Sequence, residues 1–121
     1  MRNSTASLAA KGIMELVEVI ASINSFDDED TIFVEKIGGK FDPVSQAVVF
    51  GMTDEELQLP TAEVCESRCP GKYYFLEVFL VKEFIEDWAI NHKGCLPTNS
   101  EACHSLIFYA ENDSYPAEFF S

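Results

Sequence analysis

The chain has 121 residues, of which 21 are Asp or Glu and only eight are Lys or Arg, so its formal net charge is −13. This balance disfavours direct binding to nucleic acids, which requires clustered Lys and Arg, and it disfavours binding to an anionic membrane surface. A chain of this charge attracts a basic partner instead, and the encounter rate can rise by about one to three orders of magnitude at low salt. The alternative is that the acidity serves solubility alone.

Length and apolar content predict one domain that spans residues 1–121. Hydrophobic residues make up 47% of the chain and aromatic residues 12%, which is enough material for one buried core. No apolar stretch approaches the roughly 20 residues that a bilayer requires, and the first residues lack the pattern of a secretory signal. We therefore expect a cytoplasmic protein that does not bind membranes and whose four cysteines are reduced thiols.

The first element in chain order is a predicted helix over residues 4–25. Its apolar residues recur at three- and four-residue steps, as on one face of a helix: Leu8, Ile13, Leu16, Val17, Ile20 and Ile23. Four consecutive acids follow at residues 27–30. Because they repel one another and the negative end of a helix, we expect them in a solvated connecting loop.

Short segments rich in β-branched and aromatic residues predict an antiparallel sheet of two to four strands. Residues 31–34 and 47–50 form the first two predicted strands, and the pair Gly38-Gly39 supplies the turn of a hairpin between them. Residues 73–75 predict a third strand.

Helical segments are predicted before and after this third strand. Thr53 and Glu56 have the spacing of a capping box, in which two side chains satisfy free backbone amides at a helix start. Pro60 limits residues 52–68 to one or two helical turns. A longer helix follows the strand, and one apolar stripe is predicted to run along it through Leu76, Phe79, Leu80, Phe84 and Trp88.

Two C-terminal helices complete the predicted fold. The longer helix ends near Lys93-Gly94, and a second capping box at Thr98 and Glu101 begins the last helix. We expect its buried face to consist of Cys103, Leu106, Ile107 and Ala110. The elements predict an α+β fold with an N-terminal helix, a small antiparallel sheet of two to four strands, and two C-terminal helices packed on it.

Cysteine and histidine, which bind zinc, occur in three short pairings: Cys65-x₃-Cys69, His92-x₂-Cys95 and Cys103-His104. Only the first approaches the paired spacing of structural zinc sites. We therefore predict no metal site and no cofactor, with Cys95 and Cys103 as small core residues and Cys65 and Cys69 near the surface. Because nothing in the sequence marks either histidine as the base for a cysteine nucleophile, we also predict that the chain is not an enzyme.

Two segments resemble a family of small, acidic, uncharacterised bacterial proteins. They are the run Y-F-L-E-V at residues 74–78 and the run Y-A-E-N-D-S-Y-P at residues 109–116. Members of such families resemble immunity proteins, which bind a toxin and protect the cell that produces it. The resemblance implies a bacterial binding protein, and it supplies no catalytic residues.

The leading hypothesis is an immunity or inhibitor protein that neutralises a basic toxin, a nuclease above all, by presenting acids where that enzyme would bind phosphates. Residues 26–70 hold 11 acids against three bases, so this segment carries a charge of −8. The candidate partner-binding residues crowd into its predicted loops: Asp27, Asp28, Glu29, Asp30, Asp54, Glu55 and Glu56.

Two alternatives stay open. The chain can be a structural protein that forms a homodimer or other oligomer through a sheet edge or through its aromatic tail, Phe119-Phe120. It can also be a zinc protein or an enzyme that uses the cysteines and histidines.

Overall fold

The computed structural model describes residues 14–120, so the first part of the predicted helix, residues 4–13, lies outside the described residues. The described chain folds into β1 (Met14–Glu15), α1 (Leu16–Ala21), a 3₁₀ turn (Ile23–Ser25), β2 (Thr31–Glu35), β3 (Gln46–Phe50), α2 (Asp54–Leu57), α3 (Thr61–Arg68), β4 (Lys72–Glu77), α4 (Val78–Asn91), α5 (Asn99–Asn112) and a second 3₁₀ turn (Ala117–Phe120). The α+β class is thereby confirmed.

The strands form one antiparallel sheet in the order β1-β3-β2-β4. The predicted hairpin is confirmed, because β2 pairs with β3 and the chain reverses between them. Gly38 and Gly39 make this reversal with φ angles of 61° and 84°, a region that glycine enters without steric cost. The third predicted strand is β4, which pairs with the other side of β2.

The N-terminal helix is shorter than predicted. Met14 and Glu15 are extended and pair with Ala47 and Gln46 of β3, so the helix begins only at Leu16. The Leu16 backbone amide donates to the Ser45 carbonyl at 2.8 Å, which fixes the helix start against the sheet. A non-local hydrogen bond therefore overrides the helical periodicity at these two positions.

A β-bulge in β4 explains why the adjacent residues Phe75 and Leu76 are both buried. Ile32 lies opposite Leu76 and Phe33 lies opposite Tyr74, so Phe75 is the extra residue on the bulged strand. The bulge turns Phe75 and Leu76 toward the main core, which α1, α4 and α5 cover. Phe33 lies in a second, smaller cluster with Cys65 of α3.

The apolar stripe of the longer helix is displaced from its predicted position. Leu76 belongs to β4, and the buried residues of α4 are Val78, Val81, Phe84 and Trp88. Phe79 is 41% exposed, which contradicts its predicted place on the stripe. The strand runs directly into the helix at Val78, and this junction sets which face turns inward.

The remaining helical predictions agree with the structure in their main features. Both capping boxes form, at Thr53 with Glu56 and at Thr98 with Glu101. The segment around Pro60 is more helical than predicted, because α2 and the eight-residue α3 lie on either side of the proline. Within residues 14–120, each helix is too short or too polar to cross a bilayer.

Candidate partner-binding site

The acid loop, residues 27–30, is held in place by the start of α4. The carbonyl of Asp30 accepts from the Val78 backbone amide at 2.9 Å, and the carbonyl of Asp28 accepts from the Phe79 amide at 3.3 Å. The first amides of a helix have no partner within the helix, and they carry the positive end of its dipole. The loop therefore satisfies these donors and keeps its carboxylates beside a favourable field.

The side chains of the acid loop are mostly open to solvent. Asp27, Asp28 and Glu29 are exposed and Asp30 is half-buried, as expected for a solvated loop. The loop also has fixed tertiary contacts, so it is more than a connector.

The second predicted acid segment divides into residues with different roles. Glu56 accepts from the Thr53 amide at 2.9 Å and pairs with Arg68, whose Nη1 lies 2.7 Å from Oε1 and 2.8 Å from Oε2. The hydrogen bond from the Thr53 backbone and then the Arg68 guanidinium lower the pKa of Glu56. Glu56 thus joins α2 to α3, whereas Asp54 and Glu55 are exposed.

The two acid segments, which are separated by more than 20 residues in sequence, meet at one cleft of about 770 Å³. We call it the acidic cleft. Three of the predicted acids line it, namely Asp28, Glu29 and Asp54. The end of β4 and α4 add three acids that were not predicted to bind a partner: Glu77, Glu83 and Glu86. Asp27, Asp30, Glu55 and Glu56 do not line it.

The spacing of residues along α4 indicates that Glu83 and Glu86 belong to the acidic cleft. Phe79, Glu83 and Glu86 recur at steps of four and three residues and so share one helix face. Phe79 was predicted to lie in the core, and a buried Phe79 would have placed Glu83 and Glu86 on an inward face as well.

The floor of the acidic cleft is apolar. Met52, Leu57 and Phe79 line it beside the carboxylates, and Leu57 is 62% exposed. An exposed apolar patch with a polar rim is typical of a protein-binding surface, in which central apolar contacts exclude water and surrounding charges set specificity. Acidity that served solubility alone would not require this combination.

Among the described residues that line the acidic cleft, Lys82 alone carries a positive charge. Its ammonium donates to Asp28 Oδ1 at 2.6 Å and to the Phe26 carbonyl at 3.0 Å. Lys82 neutralises part of the acid loop and leaves the carboxylates of α4 and α2 to dominate the field of the cleft.

A neighbouring depression of about 680 Å³ lies against the same acid loop. Asp27 and Asp30 line it, together with Asn24 and Gly51. Four of its residues also line the acidic cleft: Asp28, Glu29, Met52 and Lys82. The loop therefore presents its acids to two adjoining surfaces.

The cysteines are placed differently from their prediction, except for Cys103. Cys65 on α3 and Cys69 directly after that helix are buried, while Cys95 is exposed. Burial raises the pKa of Cys69 to about 11, and the adjacent Cys65 thiol contributes. Burial likewise raises the pKa of Cys103 to about 12. Within residues 14–120, no three His, Cys, Asp or Glu side chains are grouped so that they could hold a metal ion.

Comparison of the chain with protein-family models, curated proteins and solved structures gave no match.

Proposed function

We propose that this chain is a binding protein for a basic protein and that the acidic cleft is its contact surface. The convergence of two acid segments from distant parts of the sequence on one cleft with an apolar floor supports this proposal. Opposite charge accelerates encounter, while desolvated apolar contacts slow dissociation.

The finer proposal is that the chain acts as an immunity or inhibitor protein against a nuclease toxin. A nuclease binds phosphodiesters with Lys and Arg, and the carboxylates of Asp54, Glu83 and Glu86 are suited to pair with such side chains. Occupation of the cleft by these side chains would deny the toxin its substrate. Leu57 and Phe79 would pack on the apolar surface around them.

The test compares two pairs of substitutions that remove the same charge. Asp54→Asn with Glu83→Gln changes the acidic cleft, whereas Glu55→Gln with Glu63→Gln changes exposed acids outside it. The binding partner is the basic toxin encoded beside the gene, and its association rate is measured at low and at physiological ionic strength. We expect the cleft pair to slow association about tenfold at low salt and the control pair to have little effect.

Two results of the same measurement would contradict the proposal. Equal effects of the two pairs would mean that only the overall charge matters, and the cleft would not be the contact surface. An unchanged rate and salt dependence for both pairs would refute electrostatic recognition altogether.

A structural, self-associating protein is the second candidate. Three large apolar side chains in the C-terminal part of the chain favour it through their exposure: Ile90, Leu96 and Phe120. Phe119 is buried in the core, so only Phe120 of the predicted aromatic tail is available to a partner. Sedimentation velocity over a range of concentrations tests this candidate, since a dimer that forms without another protein would support it.

A further inference from the structure

A cavity of about 470 Å³ lies between α5 and the end of α4, apart from the acidic cleft. Trp88, Phe108 and Pro116 provide its apolar walls. Its volume is within the range of about 300–1,000 Å³ that is typical of small-molecule sites. The cavity shares no described lining residue with the acidic cleft.

The polar lining of the cavity includes a buried hydroxyl with unused hydrogen-bonding capacity. Ser105 is only 5% exposed, yet no hydrogen bond joins its side chain to any residue in the described part of the chain. Buried hydroxyls usually have a partner, because an unpaired polar group loses its bonds to water without compensation. A ligand in the cavity would supply the missing partner.

A carboxylate stands one helical turn before this hydroxyl. Glu101 lines the same cavity, and its Oε1 accepts from the Thr98 amide at 2.9 Å in the capping box. Its Oε2 has no hydrogen bond to a residue among 14–120, so one acceptor remains for a ligand. Because residues four apart share a helix face, Glu101 and Ser105 present their oxygens on the same side of α5.

The charge and shape of this lining select one class of ligand. Beside the Glu101 carboxylate and the His104 imidazole, the described lining residues include no Lys or Arg, and the chain carries a net charge of −13, so an anion is disfavoured. Aromatic walls next to a carboxylate suit a planar organic cation, which packs against rings and donates N–H groups to the oxygen.

We propose that the cavity binds a small organic cation with an amidinium or guanidinium group on an apolar stem. The cationic group donates to Glu101 Oε2 and to the Ser105 hydroxyl. The stem packs against Phe108 and Pro116, with Trp88 at the inner wall.

Benzamidine is the test probe, because it joins an amidinium to an aromatic ring. Benzamide and benzoate are its neutral and anionic counterparts. Trp88 is the only tryptophan in the chain, so intrinsic fluorescence reports on this cavity directly. Amide chemical shifts of α5 give a second readout. We expect saturable binding of benzamidine, binding of benzamide about tenfold weaker or less, and none of benzoate.

Variants test the two oxygens separately. Glu101→Gln retains the capping box, since glutamine also serves at this position, but it removes the charge; we expect an affinity loss of about tenfold or more. Ser105→Ala should weaken binding to a smaller degree. Glu55→Gln removes an equal charge outside the cavity and should leave affinity unchanged.

A further comparison identifies the source of the cation. Tighter binding of N-acetylarginine amide than of benzamidine supports the site and points to an arginine side chain, while the reverse order supports it and points to a free aromatic amidine. The proposal is overturned if neither cation changes Trp88 fluorescence or the α5 shifts. It is also overturned if benzamide binds as tightly as benzamidine, or if Glu101→Gln leaves the affinity intact.

Discussion

The Lys82 ammonium lies 2.6 Å from Asp28 Oδ1, and this contact joins the second turn of α4 to the acid loop. The same ammonium donates to the Phe26 carbonyl at 3.0 Å. One side chain thus bridges residues more than 50 positions away in sequence and offsets negative charge in the acidic cleft.

Replacement of Lys82 by Met should therefore have two effects. Loss of the hydrogen bond to Phe26 and of the ion pair should lower the free energy of unfolding by about 1 kcal/mol, because the ion pair is partly exposed and contributes little by itself. The more negative cleft should also bind a basic protein faster at low salt. Urea unfolding and association rates measure these effects.

The control for this variant is Lys40→Met, which removes the same charge from an exposed residue of the β2–β3 turn. It should leave stability nearly unchanged. A similar loss of stability in both variants would show that the Lys82 contacts do not hold the loop.

Local sequence patterns predicted the starts of α2 and α5 and the hairpin. The capping boxes at Thr53 and Thr98 involve side chains three residues apart, so their geometry follows from the sequence within one turn. The Gly38-Gly39 turn is equally local. Such features depend little on what the rest of the chain does.

Non-local contacts account for the differences between the predicted and the observed structure. Met14 lies within the helix predicted over residues 4–25, but its pairing with Ala47 makes it a strand residue. Phe79 fits the apolar stripe by spacing, yet the direct junction of β4 with α4 places it on the exposed face. The acidic cleft depends on both the sheet order and that junction, so the crowding of acids in predicted loops indicates Asp28, Glu29 and Asp54 but not Glu83 and Glu86.

Glu56 should make stability depend on pH in the acid range. Its folded-state pKa is lowered from the usual 4.5, so the unfolded chain binds the proton more readily. The stabilisation is therefore complete above the unfolded pKa and is lost as pH falls through the lower, folded pKa.

The variant Glu56→Gln can still form a capping box but cannot carry the charge that pairs with Arg68. Its stability deficit relative to the parent chain should be greatest near neutral pH and should vanish in strong acid. Denaturant unfolding across this range provides the comparison. A deficit that stays constant with pH would argue against any role of the Glu56 charge.

Phe84 should be among the most costly side chains to remove. It is fully buried, and the centroid of its ring lies 5.3 Å from the ring centroid of Phe119 and 5.5 Å from that of Tyr115. Phe84→Ala should lower the free energy of unfolding by about 3–5 kcal/mol, because it leaves a cavity among these rings.

The matched substitution is Phe120→Ala, since Phe120 is 66% exposed. It should change stability by no more than about 0.5 kcal/mol. Thermal or urea unfolding of both variants tests the packing of the C-terminal turn on α4. Similar costs at the two positions would contradict this arrangement.

One of the four thiols should react rapidly with an aromatic disulfide reagent, and the other three should react slowly. Cys95 is exposed, whereas Cys65, Cys69 and Cys103 are buried. The thiolate is the reactive form, and pKa values of about 11 for Cys69 and about 12 for Cys103 make it scarce at mildly alkaline pH. We expect one thiol per chain to react rapidly in the native state and all four to react once denaturant unfolds the chain.

Cys95→Ser should abolish the fast phase and leave the slow phase intact. Any rapidly reacting thiol in that variant would mean that the packing around Cys65 and Cys69 or around Cys103 opens readily, since the reagent cannot reach these buried sulfur atoms while the native packing persists.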